Sequence, residues 1–255
     1  MLPHSTPVNV QLIAKTVRLV EEMDYYFRHM KPPFFWRLRM RLLNYLNTYS
    51  YLDSWLKSLH RDENFFFAQI GANDGQRNDP INTYVRKYGW SGILIEPQPK
   101  VFDALVKNYS DQKGLIFENI AVGETDGEIE LFSIDEGESD EWHNLIATVR
   151  PEVGILKDQH KKIVSQKVPA LTLDSLFAKH KITKVDFMLM DLEGFEPKVF
   201  QSYNWSVKPD KIYFETRHLG YIQFQEVQTV LMAQGYKLFT ERGDCLAWLI
   251  NHNSN

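Results

Sequence analysis

Asp191, Glu193, Glu215 and His218 are side chains of the types that move protons or hold cations, and they follow short apolar runs. A second set stands earlier. Gly71-Ala72-Asn73-Asp74-Gly75 directly follows the uncharged run 65–70, and Glu96-Pro97 ends another apolar run, 92–95. A run of that length stopping at a glycine-bounded turn predicts a strand buried on both faces, then a loop bringing bare backbone close to a ligand. A carboxylate ending the next strand is placed to accept hydrogen bonds from ribose hydroxyls. Together they predict a nucleoside-binding α/β unit. A dinucleotide fingerprint is excluded because Asn73 stands at its second glycine, and no Gly-Lys-Ser/Thr follows as in a phosphate loop.

The elements that must position these groups alternate along the chain. Residues 65–70, 92–96, 115–121, 128–134, 168–171, 185–190 and 211–215 read as strands. Residues 81–88, 101–108, 172–180 and 224–234 read as helices, with Thr172 or Asp174 as a cap and Gly235 as a stop. Asp79-Pro80 reads as a helix start, Asp79 capping and Pro80 in first position, in preference to a contact with a bound cofactor. The last two strands, 236–240 and 245–250, flank Gly243-Asp244 as an antiparallel pair. Repeated βα units ending in a hairpin predict an α/β fold with a doubly wound, mostly parallel sheet. Residues 135–165 are polar and acidic, and read either as a substrate loop or as an ordinary surface loop. His143 within them is either a base of that loop or a surface histidine.

At 255 residues the chain can bury one substantial core, and 44% hydrophobic with 24% charged residues is ordinary for a globular protein. A formal charge of −4 gives no support to nucleic-acid binding. A single cysteine, Cys245, excludes an internal disulfide and points to a reducing, cytoplasmic compartment. No apolar run approaches the ~20 residues of a membrane span, and residues 1–11 lack a secretory pattern. Residues 1–60 differ from 61–255 in being basic, with apolar residues at helical spacing on either side of Pro32-Pro33; they read as a helical extension. Its segment 34–41, Phe34-Phe35-Trp36-Arg37 with Arg39 and Arg41, suits peripheral membrane contact, or a helix facing the core or a second copy in a homo-oligomer.

Three blocks resemble the FkbM-type S-adenosylmethionine-dependent methyltransferases. They are Ile70-Gly71-Ala72-Asn73-Asp74-Gly75 with Asp79-Pro80; Gly89-Trp90-Ser91-Gly92-Ile93-Leu94-Ile95-Glu96-Pro97 with Asn108-Tyr109; and Met190-Asp191-Leu192-Glu193-Gly194-Phe195-Glu196 with Phe214-Glu215 and His218-Leu219. The resemblance covers roughly residues 64–250. It implies the class I, Rossmann-like methyltransferase fold: a seven-stranded, mostly parallel sheet with a terminal antiparallel hairpin. S-adenosylmethionine would lie across the strand ends. Gln69, Gly71, Asn73, Asp74 and Gly75 would face its methionine and ribose, Glu96 and Pro97 its ribose, and Asn119 to Ala121 its adenine. The chain departs from the family at Gln69, where an acid is usual, and at Met188 or Met190, where a lysine is usual.

The resemblance also implies O-methylation of a small-molecule or glycan hydroxyl: a sugar, a glycan or a glycosylated metabolite. A hydroxyl acceptor needs its proton removed or its pKa lowered. Asp191, Glu193, Glu215 or His218 could do the first directly. Alternatively Asp191, Glu193 and Glu215 could hold a divalent metal that does the second. A different class of function is a non-catalytic module that keeps the fold for binding or assembly.

Overall fold

The structure is a computed structural model describing residues 51–59, 64–77, 79–134, 147–149, 163–241 and 243–250. The expected helices and the 34–41 cluster in residues 1–50, His143 and most of the acidic segment 135–165 lie outside these residues. The chain divides into two units, Met1–Leu59 and His60–Asn255. The described part of the first is helix α1, Tyr51–Leu59, which buries Leu52 and Leu56 at four-residue spacing.

The second unit is built on parallel pairing around β1, Phe66–Ile70. On one side lies β2, Ser91–Ile95, and beyond it β3, Leu115–Glu118. Helices α2, Asn82–Tyr88, and α3, Pro99–Asn108, make the two crossovers. Short strands β4, Ala121–Val122, β5, Gly127–Ile134, and β6, Ala147–Thr148, come next, then β7, Ile163–Leu171, and α4, Leu173–Lys179. The chain then returns to the other side of β1 as β8, Phe187–Met190. After α5, Glu196–Ser202, strand β9, Lys211–Glu215, pairs parallel with β8. Helix α6, Tyr221–Ala233, leads to the antiparallel β10, Tyr236–Glu241, and β11, Asp244–Leu249. Among the described residues the large sheet runs β10-β11-β9-β8-β1-β2-β3.

The uncharged runs follow from this placement. Strands covered on both faces present no side to water, so Phe67, Ala68, Ile70, Ile93, Ile95, Met188 and Met190 are buried. The Phe67 ring occupies the space over Gly92, where a Cβ would come within 2.5 Å of it. Phe65, Tyr84 and Trp90 close the amino-terminal edge, with Trp90 centroids 4.3 Å from Phe65 and 5.7 Å from Tyr84.

Register is what positions the site. Ile70 lies opposite Ile95 on one side and Met190 on the other, Ile95 opposite Glu118, and Met190 opposite Phe214. The next residue of each strand is therefore in one row: Asn119, Glu96, Gly71, Asp191 and Glu215. Backbone bonds fix that row, with Gly71 and Ala72 N–H donating to Ile95 O, Asp191 N–H to Ile70 O and Glu96 N–H to Glu118 O.

Several expected elements take a different form. The strand read over 115–121 breaks after Glu118, because the Asn119 amide donates to the carbonyls of Glu96 and Pro97 and ends the ladder. Ala121–Val122 instead pairs with Ala170–Leu171 in a second sheet of order β4-β7-β5-β6. Strand β7 begins at Ile163, five residues before the expected start, because its outward residues are polar while only Val168 and Ala170 are buried. Helix α5 has no counterpart in the sequence reading, although Pro197 sits in its first turn. Thr172, not Asp174, caps α4, its side chain accepting from Ser175 N–H.

Phe67→Ala is expected to cost about 3–5 kcal/mol, as large aromatic truncations in a closed core do. Denaturant unfolding that shows under ~1 kcal/mol would mean the ring is not what fills the space over Gly92.

Candidate active site

The loops beyond the row surround a cavity of about 750 Å³. Gln69, Gly71, Asn73, Glu96, Pro97, Ala121, Asp191, Glu193, Glu215 and His218 all line it. Asp74, Gly75 and Asn119 do not. Asp74 is buried behind the wall, accepting from Gln76 and Arg77 N–H at 2.9 and 2.8 Å, and so shapes the loop. At Gly75, φ is +65° and a Cβ would meet the Tyr109 ring at 2.5 Å, so glycine lets the loop lie against α3. Asn119, expected beside adenine, is a brace between the strand ends, and Pro97, Ile120, Ala121 and Val122 line that side instead.

Gly71 is required by its neighbour. Its φ is +78°, and a Cβ there would lie 2.1 Å from the Asp191 carbonyl oxygen. The strand ends of β1 and β8 thus approach more closely than any side chain permits. Asn73 follows at φ 51°, a conformation asparagine tolerates, and its N–H donates to Glu96 Oε2 at 3.0 Å. The other Glu96 oxygen accepts from Gln98 N–H at 3.0 Å. These donors, together with the Gln98 side chain, orient the carboxylate at the cavity wall. Burial pushes the Glu96 carboxyl up to about 7, against the downward pull of these two N–H groups.

The opposite wall is a crowd of acids. Asp191 opens onto the cavity, and desolvation, then the charge of Asp244, raises its pKa. Burial and the Asp191 charge push Glu193 up to about 7; burial with Asp191 and Glu193 pushes Glu215 up to about 8. His218 Nε2 lies 3.0 Å from Glu193 Oε2 and 3.5 Å from Glu215 Oε2. Burial, then the Arg217 charge, lowers the imidazole pKa. Glu193 holds φ 52°, a left-handed conformation that costs a side-chain-bearing residue about 1–2 kcal/mol.

Ligand atoms of Glu193, Glu215 and His218 all lie within 4.8 Å of one another, a spacing a divalent cation could bridge. The sequence reading had Asp191 in this set; the structure groups His218 with the two glutamates instead, because the turn after β9 folds His218 back over Glu215.

Three contributors were not anticipated. Arg217, between Glu215 and His218, stands 3.7 Å from Glu215 and 3.9 Å from Asp244. Glu196 is buried, and its Oε1 accepts from Leu192 N–H at 2.8 Å, folding the 191–196 turn. Leu131, Ala147, Thr148 and Val149 bring the second sheet to the cavity wall. Adjacency to His218 was a usable signal for Arg217. None marked the second sheet, whose strands meet the site only through long-range pairing.

The family model described as the methyltransferase FkbM domain matches residues 69–238, the segment that carries the row and both walls. The chain belongs to the FkbM methyltransferase family. Its strand order, with the antiparallel β11 between β9 and β10, is the class I, Rossmann-like arrangement. Among solved structures, methyltransferase FkbM from Methylobacillus flagellatus KT is similar at 14% identity and TM-score 0.49. The match covers 92% of this chain but only 60% of that one, so this FkbM-family chain spans about three fifths of that protein's length. A fibrillarin pre-rRNA processing protein of Methanococcus jannaschii follows at 13% and TM-score 0.41, covering 74% of this chain and 69% of that one. Precorrin-6y C5,15-methyltransferase of Geobacter metallireducens GS-15 matches at 9% and 0.41, covering 76% and 84%. None of the curated proteins compared matches the chain. Family membership rests on the family model and not on these likenesses.

Glu193 and Glu215 keep protons in the folded chain above 4.5, their ordinary value, so folding loses ground as pH rises toward about 8. His218 opposes this only below its ordinary 6.5. The ligand-free protein should therefore lose stability between pH 6.5 and 8, and Glu215→Gln should recover roughly 2–4 °C of the midpoint at pH 8. Scanning calorimetry at both pH values checks this; an identical slope in the variant would refute the assignment.

Proposed function

We propose that the chain is an S-adenosylmethionine-dependent methyltransferase that O-methylates a hydroxyl of a sugar, glycan or glycosylated metabolite. The observation that carries the reading is a single cavity with a ribose-type acceptor, Glu96, on one wall and a proton-accepting cluster, Glu193, Glu215 and His218, on the other. The residues suit the cofactor. The Glu96 lone pairs can take two ribose hydroxyls, the Gly71–Asp191 approach leaves no side chain over the strand ends, and the buried Gln69 Oε1 lacks a partner. Pro97, Ala121, Val122 and Leu131 offer apolar surface to a purine.

When bound, the cofactor supplies an electrophilic methyl carbon and its own leaving group. The chain's residues then position the acceptor and receive its proton. The neutral His218 ring, oriented by Glu193, can take a hydroxyl proton directly, and the 3.5 Å approach of Glu215 stabilises the charge that forms. Below about pH 7 Glu193 and Glu215 already hold protons, so methyl transfer should rise as pH passes through 7–8. The ligand-atom spacing favours one second reading, a divalent cation on Glu193, Glu215 and His218 that lowers the hydroxyl pKa instead. Among the described residues no helix is long and apolar enough to cross a membrane, and the single buried Cys245 suits a reducing cytoplasm.

The test is transfer of a tritiated methyl group from S-adenosylmethionine to a panel of neutral glycans and glycosides, with RNA and protein as controls. Glu96→Ala should weaken S-adenosylhomocysteine binding by about tenfold or more. His218→Ala should lower turnover by about a hundredfold while that binding persists. An unchanged rate in excess EDTA eliminates the cation reading. Binding of cofactor with no transfer to any hydroxyl acceptor would favour a non-catalytic module.

A further inference from the structure

Helix α6 carries a single charged residue, Glu226, in its thirteen. The surface helix α3 sets Lys100, Asp103 and Lys107 on its exposed side. Val227 and Leu231 bury the inner face of α6, so its outer face should be polar. It is not. Among the described residues the three most exposed large apolar side chains, Tyr221 at 76%, Ile222 at 70% and Met232 at 64%, all stand there. One exposed apolar residue needs no explanation, but several on one helix face make a patch that a partner covers.

The patch has an order. Ile222, Gln225, Thr229 and Met232 are all exposed, at the three-four-three spacing of a two-heptad seam. Its ends are apolar and its middle polar, so the seam reads the same from either end. A second copy running antiparallel sets Ile222 of one chain against Met232 of the other, and Gln225 against Thr229. The middle is cheap to cover. The Thr229 hydroxyl already donates to the Gln225 carbonyl at 2.8 Å, and the Gln225 amide to Tyr221 Oη at 2.7 Å. Glu226 stands at the rim of the seam, where it accepts from Gln201 of α5 at 3.3 Å. Antiparallel packing also opposes the two helix macrodipoles. An unrelated partner would have to supply the same order of groups, which a second copy already has.

We propose that the outer face of α6 is a homodimer interface, two copies packing α6 on α6 antiparallel about a twofold axis level with Val227. A pair of helices this short lies at the small end of the interface scale, so the dimer dissociates on dilution.

Sedimentation velocity of the full chain over about a hundredfold range of concentration should show the 30.0 kDa monomer giving way to twice that mass. Ile222→Glu and Met232→Lys should each raise the dissociation constant by about tenfold or more, because each removes an apolar side chain from the seam in both copies. An acid in the first turn and a base in the last suit the helix dipole, so both variants should keep the melting midpoint of the dilute wild type. The double variant Ile222→Glu/Met232→Lys brings opposite charges together across an antiparallel seam, and should dimerise more tightly than either single variant. Parallel packing would instead bring like charges together, so a double variant weaker than both overturns the proposal. So does a dimer that neither single variant weakens, which would put the contact on another face. A wild-type chain that stays monomeric overturns it too; a midpoint several degrees lower in Met232→Lys would then show that the chain covers this face itself.

Discussion

The parallel pairing of β1 with β2 and β8 is the constraint on which the site depends. Side chains alternate along a strand, so a one-residue slip would turn Phe67 and Ala68 out of the core and displace the residues that follow the ladder. Held in register, strands of unequal length end level, and Glu96, Gly71, Asp191 and Glu215 emerge beside one another though they are far apart in sequence. The close approach of Gly71 to the Asp191 carbonyl then seals the sheet edge on which the loops rest. No loop could compensate for an error in this row, because the loops inherit their starting points from it.

The site is electrostatically costly without its ligands. Asp79, Glu96, Asp191, Glu193 and Glu215 are all raised by desolvation, with Arg217 the nearby cation that tempers Asp191, Glu193 and Glu215. Glu193 adds a left-handed backbone to this crowding. A core chosen for stability alone would contain none of these features. Clustering of perturbed acids with backbone strain in one cavity instead marks a candidate functional site. The carboxylates divide by environment: Glu96 is tied to two backbone N–H groups, whereas Glu193 and Glu215 face the His218 ring at 3.0 and 3.5 Å.

The second sheet gives the cavity its remaining wall. Leu131 is buried with Ala121, Val168 and Ala170 in a small core of its own, and the Thr148 hydroxyl reaches the Glu193 carbonyl at 3.5 Å. The second sheet is therefore linked to the turn that carries Glu193.

The sequence by itself determined the framework. Uncharged runs such as 65–70 and 92–95 can only be satisfied between two layers, and a glycine or acid closing such a run has to stand at the sheet edge, so Gly71, Glu96, Asp191 and Glu215 were legible before any coordinate. Local chemistry also offered Thr172 or Asp174 as a cap, but it put Pro80 in the first position of a helix that instead starts at Asn82 with Ile81 before it. Tertiary structure alone decided which of these groups meet. It placed His218 rather than Asp191 with Glu193 and Glu215, turned Asn119 away from the cavity and buried Asp74 behind it. Those outcomes depend on distances between residues remote in the chain, which register, a positive φ and the packing of a second sheet fix, and which no residue's own type or spacing records.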